Sequence, residues 1–247
     1  MASFTLRNKS PSFRWRTDFV AWLFVLLIFS GCATAPTGQR IDNVPMYGQP
    51  EIVRPEFLLK ADQDFIAQAV AGFGTREKAS DMWWRQAEEF MSKNNLDYAM
   101  RRYNQSWLLN QNNFKPYWGF GRVMLEWGDM DKSLFHFEKA IALCNDDYQR
   151  PALLTDAGTA YVAKARRTTL IEGEALYQRA DSLFEQAIRS DPKYGNVYKR
   201  WAMKWFYQEK YVEAWKMVFE ARKLPDTIIS PAFLKDLERK MPEPKNK

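Results

Sequence analysis

The residue types that most often carry chemistry are scarce in this chain. His136 is the only histidine. One imidazole excludes a multi-histidine metal centre, and no serine and aspartate are arranged around it as a triad would require. Flanked by Phe135 and Phe137, it is expected at the surface or at the edge of a groove. Asp129-Met130-Asp131-Lys132-Ser133 begins like a calcium loop, but Leu134 stands where the sharp turn needs glycine. Asn145-Asp146-Asp147 reads as a helix-terminating turn and N-cap for the next helix. Glu88 and Glu89 are adjacent, so one helix points them to different sides and they form no acid–base pair. Cys144 has no histidine beside it to activate a thiolate and reads as a packed or half-exposed thiol at a helix end. Gly72-Phe73-Gly74 lacks the strand–turn–helix setting of a nucleotide fingerprint. Tyr198-Lys199-Arg200-Trp201 and Lys204-Trp205 interleave cations with aromatics, which could stack on bases or sugars. Trp201 and Trp205 are four apart, however, the spacing of a helix face turned to the core. The residues thus point to no catalytic group, no metal site and no cofactor, and the protein is expected not to be an enzyme.

What remains is architecture. Of 247 residues, 46% are hydrophobic and 15% aromatic, ample for a helical core. The formal net charge of +6 is shared with the first 31 residues, where Arg7, Lys9, Arg14 and Arg16 outweigh Asp18. The remainder is only mildly basic and lacks the concentrated basic face of a nucleic-acid binder. No nucleic-acid partner is expected.

The N-terminus reads as an address. Basic residues precede the apolar run Phe19–Phe29, which ends in Ser30-Gly31-Cys32-Ala33. The run is too short to cross a bilayer, which needs roughly 20 residues, and fits a secretory signal over 1–31. Ser30-Gly31-Cys32 resembles the lipobox of bacterial lipoproteins, although Phe29 stands where that family usually has Leu. The resemblance implies cleavage before Cys32, lipidation of Cys32, and a membrane partner through the lipid anchor. Ala33, where Asp would imply inner-membrane retention, implies the outer membrane, facing the periplasm. Residues 32–55 hold Pro36, Pro45, Pro50 and Pro55 with no apolar period, and read as an extended tether.

From about Ser80 to Ala221 the chain repeats itself at 34 residues: Ala87 and Gly121, Phe90 and Met124, Ala99 and Ser133, Tyr103 and Phe137, Ser106 and Ala140. Later, Ala180 pairs with Ala214, Phe184 with Val218, and Ala187 with Ala221. A fixed period of this length predicts stacked helical hairpins that bury their faces only against neighbours. Repeats are expected over about 80–113, 114–147, 151–194 and 195–228. Gly158 to Ala180 spans 22 residues, against 12 for Ala87 to Ala99. The extra residues, about 164–174, should lengthen helix A or form a loop. Glu56–Ala71 predicts a capping helix before the array and Pro231–Met241 one after it, with a disordered tail over 242–247.

The alternation of large and small residues resembles that of tetratricopeptide repeats (TPR). The resemblance implies an all-α, TPR-like α-solenoid of about four helical hairpins with capping helices at both ends, over 56–241. In that family the inner faces of the first (A) helices line a binding groove. Carried over by position, the groove residues are Trp84, Arg85 and Glu88, then Trp118 and Arg122, then Lys199, Arg200 and Met203. The Lys/Asn carboxylate clamp of one TPR subfamily is absent, because Trp and Glu, then Trp and Arg, occupy its positions. The expected function is a membrane-anchored, non-catalytic scaffold of the bacterial envelope that binds an envelope protein in the groove. The alternative is binding of a cell-wall glycan, peptidoglycan or polysaccharide, through exposed Trp.

Overall fold

A computed structural model describes Pro45 and residues 56–225 and 227–245. The signal segment, Cys32 and nearly all of the tether lie outside the described residues. The described residues form ten helices and no strand: α1 Glu56–Phe73, α2 Arg76–Ser92, α3 Leu96–Leu109, α4 Phe114–Trp127, α5 Met130–Leu143, α6 Arg150–Ala165, α7 Leu170–Ser190, α8 Gly195–Tyr207, α9 Tyr211–Arg222 and α10 Pro231–Lys240. None of these is long and apolar enough to cross a membrane.

Local chemistry sets the boundaries. Thr75, Asn95, Asn113, Asp129 and Thr169 each place a side-chain oxygen on a first-turn N–H, capping α2, α3, α4, α5 and α7. The turns within the first, second and fourth hairpins are the same turn. Each has a left-handed residue, at Asn94 (φ 55°), Gly128 (φ 84°) and Glu209 (φ 59°). Each is closed by the N–H of the next residue on the carbonyl five residues before it: Asn95 to Phe90, Asp129 to Met124, Lys210 to Trp205. This is the Schellman geometry that reverses a helix.

The hairpins α2–α3, α4–α5, α6–α7 and α8–α9 stack in order. Within each, a small residue on the A helix admits a large one from the B helix. Ala87, Gly121, Gly158 and Ala202 are all buried, as are Tyr103, Phe137, Phe184 and Val218. A Cβ on Gly121 would come within 2.9 Å of the Phe137 ring, and one on Gly158 within 2.6 Å of the Phe184 ring. Fully burying such side chains contributes roughly 1.5–3 kcal/mol each, and each hairpin repeats the contact. α1 lays Phe65, Ile66 and Ala69 on Ala79 and Leu109 at one end. At the other, α10 buries Leu237 against the cluster around Ala202, Trp215 and Val218.

The inserted residues neither lengthen helix A nor form a long loop. They fall mainly at the start of the third B helix: α7 has 21 residues, against 14 in α3 and α5. Thr169 caps this longer helix, so the extra residues meet their backbone hydrogen bonds within it. The tail is placed as far as Lys245, with Glu243 paired to Arg222 at 2.5 Å. His136 is the other departure. It is buried between Phe120 and Phe135, 1% exposed, while Phe135 beside it is 52% exposed. The helix keeps its expected inward face, with Ser133, Phe137 and Ala140 fully buried; His136 is buried as well because Phe120 of α4 offers it an aromatic wall. Asp146 takes the N–H groups of Tyr148 and Gln149 in the turn before α6, and the N-cap is Gln149 rather than a residue of the Asn145–Asp147 turn.

Candidate partner-binding face

Successive A helices pack on one another, α2 on α4, α4 on α6 and α6 on α8, while successive B helices spread apart. The A helices therefore line the inner side of the stack, and their inward positions form one continuous face.

The first half of this face is a set of closed contacts. Arg122 Nη1 donates to Glu88 Oε2 at 2.7 Å, and the Tyr103 hydroxyl donates to Glu88 Oε1 at 2.5 Å. Arg122 Nε lies 3.9 Å from Asp156 Oδ2, and Trp118 Nε1 donates to that same oxygen at 3.0 Å. The chain Glu88–Arg122–Asp156 thus runs through α2, α4 and α6 with alternating sign. Burial disfavours the Arg122 charge, but Glu88, then Tyr103 and Asp156, more than compensate and raise its pKa. Burial raises the Asp156 carboxyl above its ordinary range against the pull of Arg122. Burial and then Glu88 hold the Tyr103 phenol well above its usual value. A second pair joins Lys115 to Asp81 at 3.0 Å. Asn113 also donates to Asp81, and the Lys115 amine stands 5.0 Å over the Trp84 ring.

These contacts change the expected inventory. Trp118 is buried and spent on Asp156, so it is not an exposed anchor. Trp84 is half-buried, packed on the core and covered by Lys115. Glu88 and Arg122 satisfy each other. Arg85 remains exposed.

The far end of the face differs. Lys199, Arg200 and Met203 of α8 come together with Asn196 around a hollow of about 200 Å³. Its opposite wall is Ile228 and Ile229 of the α9–α10 connection and Phe233 of α10. Among the described residues, neither Lys199 nor Arg200 has a carboxylate within ion-pair distance.

Asp156, Asp81, Lys115 and Tyr103 belong to this face and were not among the expected residues. Asp156 could have been found. It lies two residues before Gly158, as Arg85 lies two before Ala87 and Arg200 two before Ala202. The connection between α5 and α6 is longer, so Gly121 to Gly158 is 37 residues, and a frame held at 34 steps over it. Elsewhere, no group of three or more His, Cys, Asp or Glu among the described residues could hold a metal ion. Cys144 is half-buried at the end of α5.

The sequence matches no protein-family model and no curated protein sequence. The fold does have solved counterparts. TTC0263, a thermophilic TPR protein of Thermus thermophilus, is 17% identical, with a TM-score of 0.58 over 66% of this chain and 82% of that one. The APC/C hetero-tetramer Cut9-Hcn1 contains a chain 18% identical, with a TM-score of 0.53 over 73% of this chain and 36% of that one. Identities this low speak to fold alone: the described helices form a TPR-like α-solenoid.

Proposed function

We propose that the chain is a lipid-anchored, non-catalytic scaffold of the bacterial envelope, holding a protein partner along the inner face of its helical stack. The observation that carries this reading is the face itself. Four A helices present one uninterrupted surface, ending in a hollow whose cations form no ion pair among the described residues and whose far wall is apolar. Such a surface suits an extended or helical protein segment, and Arg is among the residue types enriched where binding energy concentrates. The lipobox-like Ser30-Gly31-Cys32 supports the anchor, and Ala33 supports the outer membrane. Several acyl chains at ~0.8 kcal/mol per buried CH₂ would hold the protein stably, where one would not. Glycan stacking is less well supported, because Trp118 and Trp84 are engaged within the fold.

A photocrosslinking residue placed at Arg85 tests the face, with Phe135 and Val212, exposed on α5 and α9, as controls. Crosslinks to one envelope protein from Arg85 alone are expected. Equal crosslinks from all three positions would reject the inner face. Cys32→Ala should abolish lipid labelling and release the protein from membranes. Unchanged labelling would reject the anchor.

A further inference from the structure

The inner face is spent at one end and open at the other, and this asymmetry specifies a ligand. From α2 to α6 its carboxylates are already partnered, Asp81 by Lys115 and Glu88 and Asp156 by Arg122, and Arg85 alone is left exposed. A ligand charge placed against those carboxylates would have to displace an existing partner. At α8 the two adjacent cations Lys199 and Arg200 form no ion pair among the described residues, although Arg200 is near enough to Asp156 to draw its pKa down, and no carboxylate lines their hollow. Across from them Ile228 is 81% exposed, beside the half-buried Ile229, Phe233 and Met203. Ile228 continues the apolar wall made by Ile229 and Phe233, and Met203 can adjust to different shapes.

We infer that this hollow, between the last A helix and the capping helix, takes a partner-protein segment that places an acidic group next to a bulky apolar side chain. This rests on the groove reading proposed above and narrows it to one subsite and one chemistry. The carboxylate meets Lys199 and Arg200, with the Asn196 amide beside them. The apolar side chain fills the space among Met203, Ile228 and Phe233. A phosphate or nucleic-acid backbone would use the cations and leave the apolar wall wet. A purely apolar segment would bury Lys199 without a counter-charge, which is costly. Only the combined ligand satisfies both walls.

Selection from a random phage-displayed dodecapeptide library on the full chain, held in detergent, tests this, with Lys199→Glu/Arg200→Glu as the counter-target. Both substitutions are at the rim of the hollow, and circular dichroism checks that helicity is kept. Expected are peptides pairing Asp or Glu with Leu, Ile or Phe. By anisotropy they should bind the double variant at least roughly tenfold more weakly and lose affinity as salt rises. Phe233→Ser should weaken the same peptides without reversing their acidic preference. Enriched peptides with no acidic bias, or equal binding to the double variant, would overturn the inference and leave the groove reading standing. No enrichment of any peptide would overturn both. A photocrosslinker at Met203 that reacts with the chain itself or with a second copy would identify a different occupant and also overturn the inference.

Discussion

Arg122 lies 2.7 Å from the Glu88 carboxylate, and their separation of 34 positions is one full repeat. The same carboxylate accepts the Tyr103 hydroxyl at 2.5 Å. Glu88 is therefore the joint between the first two hairpins. Removing it leaves a buried phenol without an acceptor and a half-buried guanidinium with only Asp156, 3.9 Å away. Glu88→Ala should cost about 1–3 kcal/mol in urea unfolding, less than for a fully buried pair because water still reaches both groups. In a double-mutant cycle with Arg122→Ala the coupling should be about 1 kcal/mol. Additive effects would mean the contact is not formed in solution.

Three glycines of the A helices should respond to alanine in a fixed order. The added Cβ would stand 2.3 Å from the Tyr103 ring at Gly119, 2.6 Å from Phe184 at Gly158 and 2.9 Å from Phe137 at Gly121. Overpacking of about 1–3 kcal/mol opposes a helix-propensity gain of about 1 kcal/mol. Gly119→Ala should be the worst, since its obstacle, Tyr103, is held in place by Glu88. Gly121→Ala should be the mildest. Thermal melts that rank Gly121→Ala lowest in stability would contradict the packing described here.

The hairpins were legible because the pairing of small A-helix and large B-helix residues recurs at a fixed period, and sterics demand both members. Ala87 with Tyr103 and Gly158 with Phe184 are visible in the sequence for that reason. The TPR-like fold, too, follows from that pattern and agrees with the solved counterparts. The face was only partly legible. Position says that Trp118 lies on the inner side, but not that Asp156, 38 residues later, withdraws its N–H from any ligand. Some bonds between repeats follow the period, as Arg122 to Glu88 and Lys115 to Asp81 do at 34 residues, but the one from Trp118 to Asp156 crosses the longer α5–α6 connection and does not. The open hollow was half visible: Lys199, Arg200 and Met203 follow from repeat register, while Ile228 and Phe233 lie beyond the last repeat and enter only through the path of the chain into α10. His136 departs from its expected place because Phe120 on the neighbouring α4 covers it, a contact between helices that the spacing of inward residues does not encode.

His136 makes stability depend on pH. Burial lowers its pKa from 6.5 to about 4, with Asp129 pulling it up and Lys132 pushing it down. In the unfolded chain it returns to about 6.5. Between these values the unfolded state binds a proton that the folded state refuses. Stability from this group is therefore complete above about pH 6.5 and declines as pH falls toward 4, by about 3 kcal/mol. His136→Leu should flatten that interval of the stability–pH curve. An unchanged slope in the variant would mean that His136 is not the group responsible.

Lys204 and Asp181 should respond very differently to removal, although they form one ion pair. The Lys204 amine lies 2.6 Å from Asp181 Oδ2, with side chains 1% and 23% exposed. It also stands 3.3 Å over the Trp205 ring. Burial lowers the Lys204 pKa, and Asp181 draws it partly back. Asp181 has a second donor, Trp201 Nε1 at 2.7 Å, and a path to water. Lys204→Met therefore removes a buried charge and leaves a carboxylate that is still hydrogen-bonded, at a cost of up to about 1 kcal/mol. Asp181→Ala leaves the ammonium buried without a counter-charge and should cost about 3–5 kcal/mol at pH 7. The sign of its pH dependence follows. The folded state of that variant favours neutral lysine more than the unfolded chain does, so stability is recovered as pH rises toward about 10.4. Equal costs for the two substitutions, or an Asp181→Ala penalty that does not shrink between pH 7 and pH 10, would show that Lys204 reaches water in solution.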